Sequence, residues 1–205
     1  MTLKLYYTPG ACSLSPHIAL REAGLQFELV QVDLQAKKLT QGGGDFFAIN
    51  PKGYVPALGL DNGQVLTEGA IIVQYIADQV PDARLAPKLG SIERVRQNEW
   101  LHFIATELHK GFGPINNPKS SPELKQFFRQ RLDARFQILA KALERREFLG
   151  EGSFSVADGY AFYVLRNLRR LDAAAVDQSA VFKPYYDRIA ARPAVRAALE
   201  AEGLS

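Results

Sequence analysis

The stretch that decides the fold is residues 3–34, LKLYYTPGACSLSPHIALREAGLQFELVQVDL. Its two ends, Leu3 to Tyr7 and Phe27 to Leu34, are short and β-rich and predict strands. Between them, Ser15 to Ala23 has the composition of a helix and is followed by Gly24, the residue type that most often ends a helix. The pattern predicts a strand, a helix and a second strand, the βαβ unit of α/β domains.

The segments that follow extend this unit into a small domain. Lys37 to Asn50 is polar and contains three consecutive glycines, which indicates a loop with a short or irregular helix. Ala57 to Leu60 and Gln64 to Thr67 flank the turn sequence Asp-Asn-Gly and predict an antiparallel hairpin. An apolar helix is expected from Glu68 to Gln79.

The second half of the chain has a different, helical character. Phe128 to Arg146 repeats apolar residues at spacings of three and four, as on the buried face of a helix. Ser155 and Asp158 form a capping-box pattern ahead of a further apolar helix. A segment with two prolines and a glycine separates the halves, so we expect domains at 1–80 and 91–205 joined by a linker at 81–90.

Composition excludes several classes of protein. The chain has 205 residues, 47% hydrophobic, with a net charge of only +3, so no nucleic-acid partner is implied. One cysteine rules out an internal disulfide, and the three histidines show no zinc-site spacing, so no metal is expected. Because no signal-like or membrane-spanning apolar stretch is visible, we expect a cytoplasmic protein without a membrane partner.

Cys12 is the residue most suited to chemistry. It follows the first predicted strand at the start of a helix, where unpaired N–H groups and the helix dipole favour a thiolate over a thiol. The spacing fits a small buried core residue equally well. In Cys12-Ser13-Leu14-Ser15 a serine stands where a dithiol enzyme has its second cysteine, so redox chemistry would need an external thiol.

Two other segments could bind a peptide-like ligand. Pro56 stands at the entrance of a strand, which could leave the backbone of Val55 open to such a ligand, or could mark an ordinary edge strand. Glu68 and Gly69 open a helix, where backbone amides attract an anion and the Glu68 carboxylate could bind an amine. The plainer explanation is that Glu68 only stabilises its own helix.

A long helix from about Ile92 to Phe112 is predicted in the second half. Besides its apolar stripe it has a polar stripe with Glu99, His102, Thr106 and His109 at spacings of three, four and three. Two histidines on one helix face could face a cleft or simply face solvent.

Taken together, the segments YYTPGACSLSPHIALREAG, NPKGYVPAL, LTEGAIIVQYIAD, EWLHFIATELHKGF, FSVADGYAF and AEGLS resemble the glutathione transferase family, and within it the bacterial beta class. The match runs through essentially the whole chain in order. The resemblance implies an α/β thioredoxin-like N-terminal domain, an all-helical C-terminal domain and a homodimer. It also implies glutathione as co-substrate, with no other cofactor.

The resemblance implies a role for each matching residue. Cys12 matches the cysteine that contacts or disulfide-bonds the glutathione sulfur, and His109 matches the histidine near that sulfur; these two are the expected catalytic residues. The other expected glutathione contacts are Lys37 at the far carboxylate, Val55 before a cis Pro56, Glu68 and Gly69 at the γ-glutamyl group, and His102, Thr106 and Glu107 from the helical domain. Gly69 departs from the pattern, because a serine is common there.

Three functions are compatible with this sequence. The first is conjugation of glutathione to small apolar electrophiles, with Cys12 near the sulfur. The second is a thiol transferase or peroxidase working through a Cys12 mixed disulfide. The third is a non-catalytic ligand-binding protein, because a fold alone does not dictate a function.

Overall fold

The computed structural model describes residues 2–150 and 152–204. Met1, Glu151 and Ser205 lie inside the expected domains, and Ser205 inside the AEGLS motif, but outside the described residues. The chain divides into two compact units: residues 1–86 together with 189–205, and residues 87–188. They are called the first unit and the second unit below.

The first unit contains a five-stranded mixed sheet. Its strands are β1 Leu3–Tyr7, β2 Phe27–Asp33, β3 Lys38–Leu39, β4 Ala57–Gly59 and β5 Val65–Thr67, in the spatial order β3-β2-β1-β4-β5. β1 pairs in parallel with β2, and helix α1, Leu14–Glu22, connects the two strands along the chain, which confirms the βαβ prediction. β4 and β5 form the expected antiparallel hairpin.

The segment after β2 holds more structure than the sequence indicated. The expected short helix is present as a 3₁₀ turn at Phe46–Ala48. Strand β3, antiparallel to β2, was not expected, because two residues are too few to show a hydrophobic period. Helix α2, Gly69–Gln79, follows β5 as predicted, and a second 3₁₀ turn lies at Pro81–Ala83.

Residues 189–205 belong to the first unit. Helix α9, Pro193–Ala201, packs against α1. Beyond it the carboxylate of Glu202 is fully buried, 2.8 Å from His17 Nδ1, and accepts a 2.9 Å hydrogen bond from the N–H of Gly10. Because a buried carboxylate needs partners, this contact ties the chain end to the first helix.

The second unit is helical. Its elements are α3 Ile92–Phe103, a π-helical segment Ile104–His109, α4 Phe112–Asn116, α5 Pro122–Leu143, α6 Val156–Leu171, α7 Ala173–Asp177 and α8 Phe182–Ala190, of which the last two residues are counted with the first unit. The apolar stripe predicted for α5 is buried, at Leu132, Phe136, Leu139 and Leu143.

The prediction of one regular helix from Ile92 to Phe112 is wrong in its middle. From Ile104 to His109 the backbone is π-helical, and the N–H of Lys110 accordingly donates to the carbonyl of Ala105, five residues earlier. This wider turn changes the helical phase. His102 is exposed whereas His109 is partly buried, so the two histidines do not share one solvent-facing stripe.

The predicted capping box at the start of α6 is present. The Asp158 carboxylate is fully buried and accepts hydrogen bonds from the Ser155 N–H at 2.8 Å, the Leu149 N–H at 2.7 Å and the Tyr185 hydroxyl at 2.8 Å. Burial raises the pKa of Asp158, although these hydrogen bonds oppose the shift. One side chain thus joins α6, α8 and the loop before α6.

Replacing Asp158 is expected to destabilise the protein strongly. Asp158→Ala leaves the Leu149 N–H and the Tyr185 hydroxyl buried without an acceptor and removes the cap, so we expect a loss of about 3–5 kcal/mol in the free energy of unfolding. Urea unfolding measures it. Asp187→Ala, which removes an exposed ion pair with Lys183 on α8, is the control and should cost about 0.5 kcal/mol or less. Similar losses in both variants would contradict this role for Asp158.

Candidate active site

Cys12 lies one position before the N-cap of α1, not inside the first turn. The N-cap is Ser13 and the helix begins at Leu14. The N–H of Leu14 donates to the carbonyl of Ala11 at 3.0 Å, and the N–H of Ser15 donates to the carbonyl of Cys12 at 3.3 Å. The amides expected to face the sulfur are therefore engaged with carbonyl groups in this structure.

The Cys12 sulfur instead contacts the segment before β4. Its Sγ donates a hydrogen bond to the carbonyl oxygen of Val55 at 3.2 Å, and the Val55–Pro56 peptide bond is cis, as the resemblance implied. A carbonyl oxygen can only accept, so a thiol is the donor in this contact. Among residues 2–150 and 152–204 the N–H of Val55 has no acceptor. The sequence predicted that both the N–H and the carbonyl of Val55 would be unpaired. The N–H fits this prediction, whereas the carbonyl accepts from Cys12.

Pro56 stands directly before β4, which fits the rule that proline is tolerated at a strand start. The strand is not an edge, because β4 lies between β1 and β5. Pro56 also borders the start of α2: a Cβ atom on Gly69 would lie 3.6 Å from Pro56 Cγ. That is an ordinary contact distance, so space alone does not require glycine at position 69.

Glu68 precedes α2 and already has a cationic partner. Its φ angle is 70°, and its Oε1 lies 2.6 Å from Nζ of Lys52. The same Lys52 Nζ donates to Thr67 Oγ1 at 3.0 Å. The Glu68 side chain is 64% exposed, so the carboxylate is accessible to an ammonium group from solvent. Sequence reasoning missed Lys52, although it lies in the same NPKGYVPAL segment as the expected contact Val55.

Lys37 reaches the same segment from the β2–β3 connection. Its Nζ donates to the carbonyl of Gly53 at 2.8 Å and lies 5.3 Å from the centre of the Tyr54 ring. Gly53 has a φ of 65°, and a Cβ there would come within 2.6 Å of the Phe47 ring, so the turn requires glycine. The first unit therefore brings Lys37 and Cys12 to the two ends of one short segment, residues 53–55.

The remaining expected site residues lie in the second unit. His102 and Thr106 are exposed; His102 Nδ1 is 3.0 Å from the carbonyl of Asn98, and Thr106 Oγ1 donates to the carbonyl of His102 at 2.9 Å. Glu107 accepts from Arg135 at 2.7 Å and from Arg131 at 3.2 Å. These hydrogen bonds lower the pKa of the Glu107 carboxyl, so it is ionised at neutral pH.

His109 sits between two tyrosines of α6. Its Nδ1 is 2.9 Å from the Tyr160 hydroxyl, and its ring packs edge-on against Tyr163 with 5.2 Å between centres. Burial, with a smaller contribution from the charge of Lys110, lowers the pKa of His109 from 6.5 to about 4. The imidazole is neutral at pH 7 and can act there as a hydrogen-bond donor or acceptor but not as a cation.

Within residues 2–150 and 152–204 no group of three or more histidine, cysteine, aspartate or glutamate side chains could hold a metal ion. In the same part of the chain no helix has the length and apolar character needed to cross a membrane.

Comparisons with known proteins identify the family. Residues 1–78 match the model of the glutathione S-transferase N-terminal domain and residues 106–202 match that of a glutathione S-transferase C-terminal domain. The chain is 48% identical to a glutathione S-transferase of Escherichia coli O157:H7, over 98% of this chain and all of that protein. The chain belongs to the glutathione S-transferase family. The glutathione transferase fold and the transferase activity expected from the resemblance are thus confirmed.

Two similar solved structures indicate the class within the family. The bacterial glutathione transferase BphK, solved as a ternary complex, is 52% identical with a TM-score of 0.93, over 98% of this chain and 100% of that one. A beta-class enzyme of Sphingomonas chungbukensis is 46% identical with a TM-score of 0.92, again over 98% and 100%. These similarities confirm the bacterial beta class.

The neutral state of His109 has a consequence for stability. Because folding lowers its pKa from 6.5 to about 4, the unfolded chain binds this proton more tightly than the folded one. The contribution of neutral His109 is fully present above pH 6.5 and is lost as the pH falls from 6.5 to 4, by about 3 kcal/mol. We expect His109→Asn, which cannot take up the proton, to lose less stability than the unchanged protein across this window.

Urea unfolding at several pH values between 7 and 4 measures this difference. His102→Asn, at an exposed position of α3, is the control and should follow the unchanged protein. Parallel pH curves for the unchanged protein and His109→Asn would show that His109 is not buried as a neutral base.

Proposed function

We propose that this transferase binds glutathione along residues 53–55 of the first unit and conjugates it to small apolar electrophiles, with Cys12 beside the glutathione sulfur. The observation that carries the proposal is the junction of Cys12 and Val55. The N–H of Val55, directly before the cis proline, has no acceptor among the described residues. The carbonyl of Val55 is 3.2 Å from Sγ of Cys12, the one cysteine of the sequence. A peptide that paired with this N–H would lie beside the Cys12 thiol.

The Glu68 carboxylate supports a binding site for the γ-glutamyl end. Its pairing with Lys52 at 2.6 Å shows that an ammonium group reaches this oxygen at hydrogen-bond distance. The α-amino group of glutathione has the same charge and geometry and could replace or join Lys52 there. A sphingomonad glutathione S-transferase that is 44% identical, with a TM-score of 0.90, has been solved in complex with glutathione, which supports this choice of ligand.

The hydrogen bond of Cys12 favours one role over another. A protonated thiol that donates to a carbonyl oxygen can donate equally to a glutathione thiolate, and so stabilise the nucleophile without reacting itself. Acting as the nucleophile would require Cys12 to lose its proton first. The geometry therefore favours Cys12 as a hydrogen-bond donor in conjugation.

A second candidate is a thiol transferase or peroxidase reaction. For the transferase, a Cys12 thiolate would attack a mixed disulfide of glutathione, form a Cys12–glutathione disulfide and release the other thiol. A second glutathione thiolate would then attack that bond, which yields oxidised glutathione and restores Cys12. The single thiol in Cys12-Ser13-Leu14-Ser15 favours it, because no second cysteine could resolve the disulfide internally.

Two substitutions at Cys12 separate these roles. If Cys12 is a donor, Cys12→Ser keeps an O–H group and should conjugate an aryl halide within a few-fold of the unchanged enzyme. Cys12→Ala should lose about tenfold or more in kcat/KM, the value of one hydrogen bond to a charged group. Equal losses in the two variants would contradict the donor role. If instead both retain conjugation but lose disulfide reduction, the second candidate is the better description.

Removing the Glu68 charge should weaken glutathione binding. Glu68→Gln keeps the shape of the side chain but loses the charge that would hold the ammonium, so we expect the Kd to rise about tenfold or more. Calorimetry with glutathione measures it. Glu28→Gln, which disrupts the exposed pair of Glu28 with Lys4 at 3.3 Å in the same unit, is the matched control. An unchanged Kd in Glu68→Gln would remove Glu68 from the site.

The other parts of the proposal come from the resemblance. Lys37, His102, Thr106, Glu107 and His109 are proposed as further glutathione contacts, with His109 also acting on the sulfur. We also propose a homodimer, a cytoplasmic location, no cofactor besides glutathione, and domains at 1–80 and 91–205. A glutathione-affinity capture followed by a panel of electrophiles would identify the second substrate.

A further inference from the structure

Lys52 and Glu68 form an exposed ion pair in the first unit. Nζ of Lys52 lies 2.6 Å from Oε1 of Glu68 and donates a second hydrogen bond to Thr67 Oγ1 at 3.0 Å. The two charged side chains are 54% and 64% exposed. An ion pair that is exposed to this extent contributes little free energy, because water solvates both charges well when they separate. A ligand with an ammonium group can therefore displace Lys52 from Glu68 at low cost.

The backbone of Lys52 is fixed although its side chain is exposed. Asn50 is only 2% exposed, and its Oδ1 accepts a 3.1 Å hydrogen bond from the N–H of Lys52. The Nδ2 of Asn50 donates to the carbonyl of Tyr54 at 2.7 Å, and the carbonyl of Asn50 accepts from the N–H of Gly53 at 2.8 Å. One buried side chain thus holds the turn that carries Lys52. When the Lys52 ammonium leaves Glu68, it stays tethered to a fixed point beside the same site.

The backbone of Glu68 is also held in place. Its φ of 70° lies in a region that residues other than glycine rarely adopt. The carbonyl of Glu68 accepts hydrogen bonds from the N–H groups of Ile71 and Ile72, both at 2.9 Å, so the first turn of α2 keeps the residue in this conformation. A side chain that starts from a strained but fixed backbone position is typical of a residue whose direction matters for function.

The γ-glutamyl end of glutathione has two opposite charges on one carbon atom. A ligand that places its α-ammonium at Glu68 therefore brings its α-carboxylate close to the same residue. Without a cation nearby, the Glu68 carboxylate would repel that second group. Gly69, the next residue, can offer only its backbone, and Lys37 already donates to the carbonyl of Gly53 at 2.8 Å. Lys52 has the required charge and already lies at hydrogen-bond distance from Glu68.

We infer that Lys52 is a further residue of the γ-glutamyl site and that it exchanges partners when glutathione binds. The α-ammonium of the ligand replaces Lys52 at Glu68, and the Lys52 ammonium pairs with the α-carboxylate. The four charges of protein and ligand then alternate in sign. This inference rests on the proposed glutathione site and adds to it a residue that determines specificity. Lys52 distinguishes an α-amino acid group from a simple amine, which Glu68 alone would accept.

A peptide that lacks one of the two charges tests the exchange. γ-Aminobutyryl-cysteinylglycine is glutathione without its α-carboxylate. We expect Lys52→Met to raise the Kd of glutathione about fivefold, the value of one exposed ion pair. The same variant should leave the Kd of the aminobutyryl peptide unchanged or lower it, because the lysine no longer competes for Glu68. Calorimetry on the intact protein measures all four values.

Further variants separate a change of charge from a change of structure. Lys52→Arg keeps the cation and should bind glutathione within about twofold of the unchanged protein. Lys4→Met removes an exposed lysine that pairs with Glu28 at 3.3 Å in the same unit. It is the matched control and should bind both peptides normally. Circular dichroism should show the same fold in every variant.

Two results would overturn the inference. An equal loss of affinity for both peptides in Lys52→Met would show that Lys52 only shapes the turn. Unchanged binding of glutathione in that variant would show that Lys52 does not contact the ligand. Failure of the proposed function is a separate result, because the unchanged protein would then bind neither peptide, and the role of Lys52 would be lost with it.

Discussion

A carboxylate that is taken out of water must find hydrogen-bond donors, and both units of this protein are organised by that requirement. In the first unit Glu202 receives the Gly10 N–H and lies against His17, so the end of the chain holds the loop that leads to Cys12. In the second unit Asp158 receives donors from the loop before α6 and from α8. Each carboxylate fixes a segment that has little regular structure of its own.

The two residues proposed to act on the glutathione sulfur, Cys12 and His109, can both donate a hydrogen bond without carrying a positive charge. The Cys12 thiol donates to a carbonyl oxygen, and burial leaves the His109 imidazole uncharged at neutral pH. Neutral donors attract a negative sulfur less strongly than cations do, but they are also easier to bury. The charged partners, Lys52 with Glu68 and the two arginines with Glu107, lie at more exposed positions.

Much of the fold could be predicted because its signals are local. The βαβ unit, the Asp-Asn-Gly hairpin, the stripe on α5 and the capping box each depend on residues close together in sequence, and the structure confirms all four. The environment of Cys12 was harder to predict. The sequence placed a cysteine near a helix start, but the direction of its Sγ depends on Val55, 43 positions away. The attachment of α9 to α1 likewise depends on a pairing of Glu202 and His17 across 185 positions.

The π-helical turn at Ile104–His109 has a consequence for how this segment can vary. In a regular helix each residue advances the direction of the side chains by about 100°, and a wide turn accommodates one residue more than a regular one does. The direction of His109 is therefore set by how many residues precede it as well as by their identity. A single deletion between Phe103 and Lys110 would return the segment to a regular pitch and turn the imidazole away from its two tyrosines, whereas many exchanges of one residue for another would leave it in place. This geometry therefore constrains the length of the segment more than its composition.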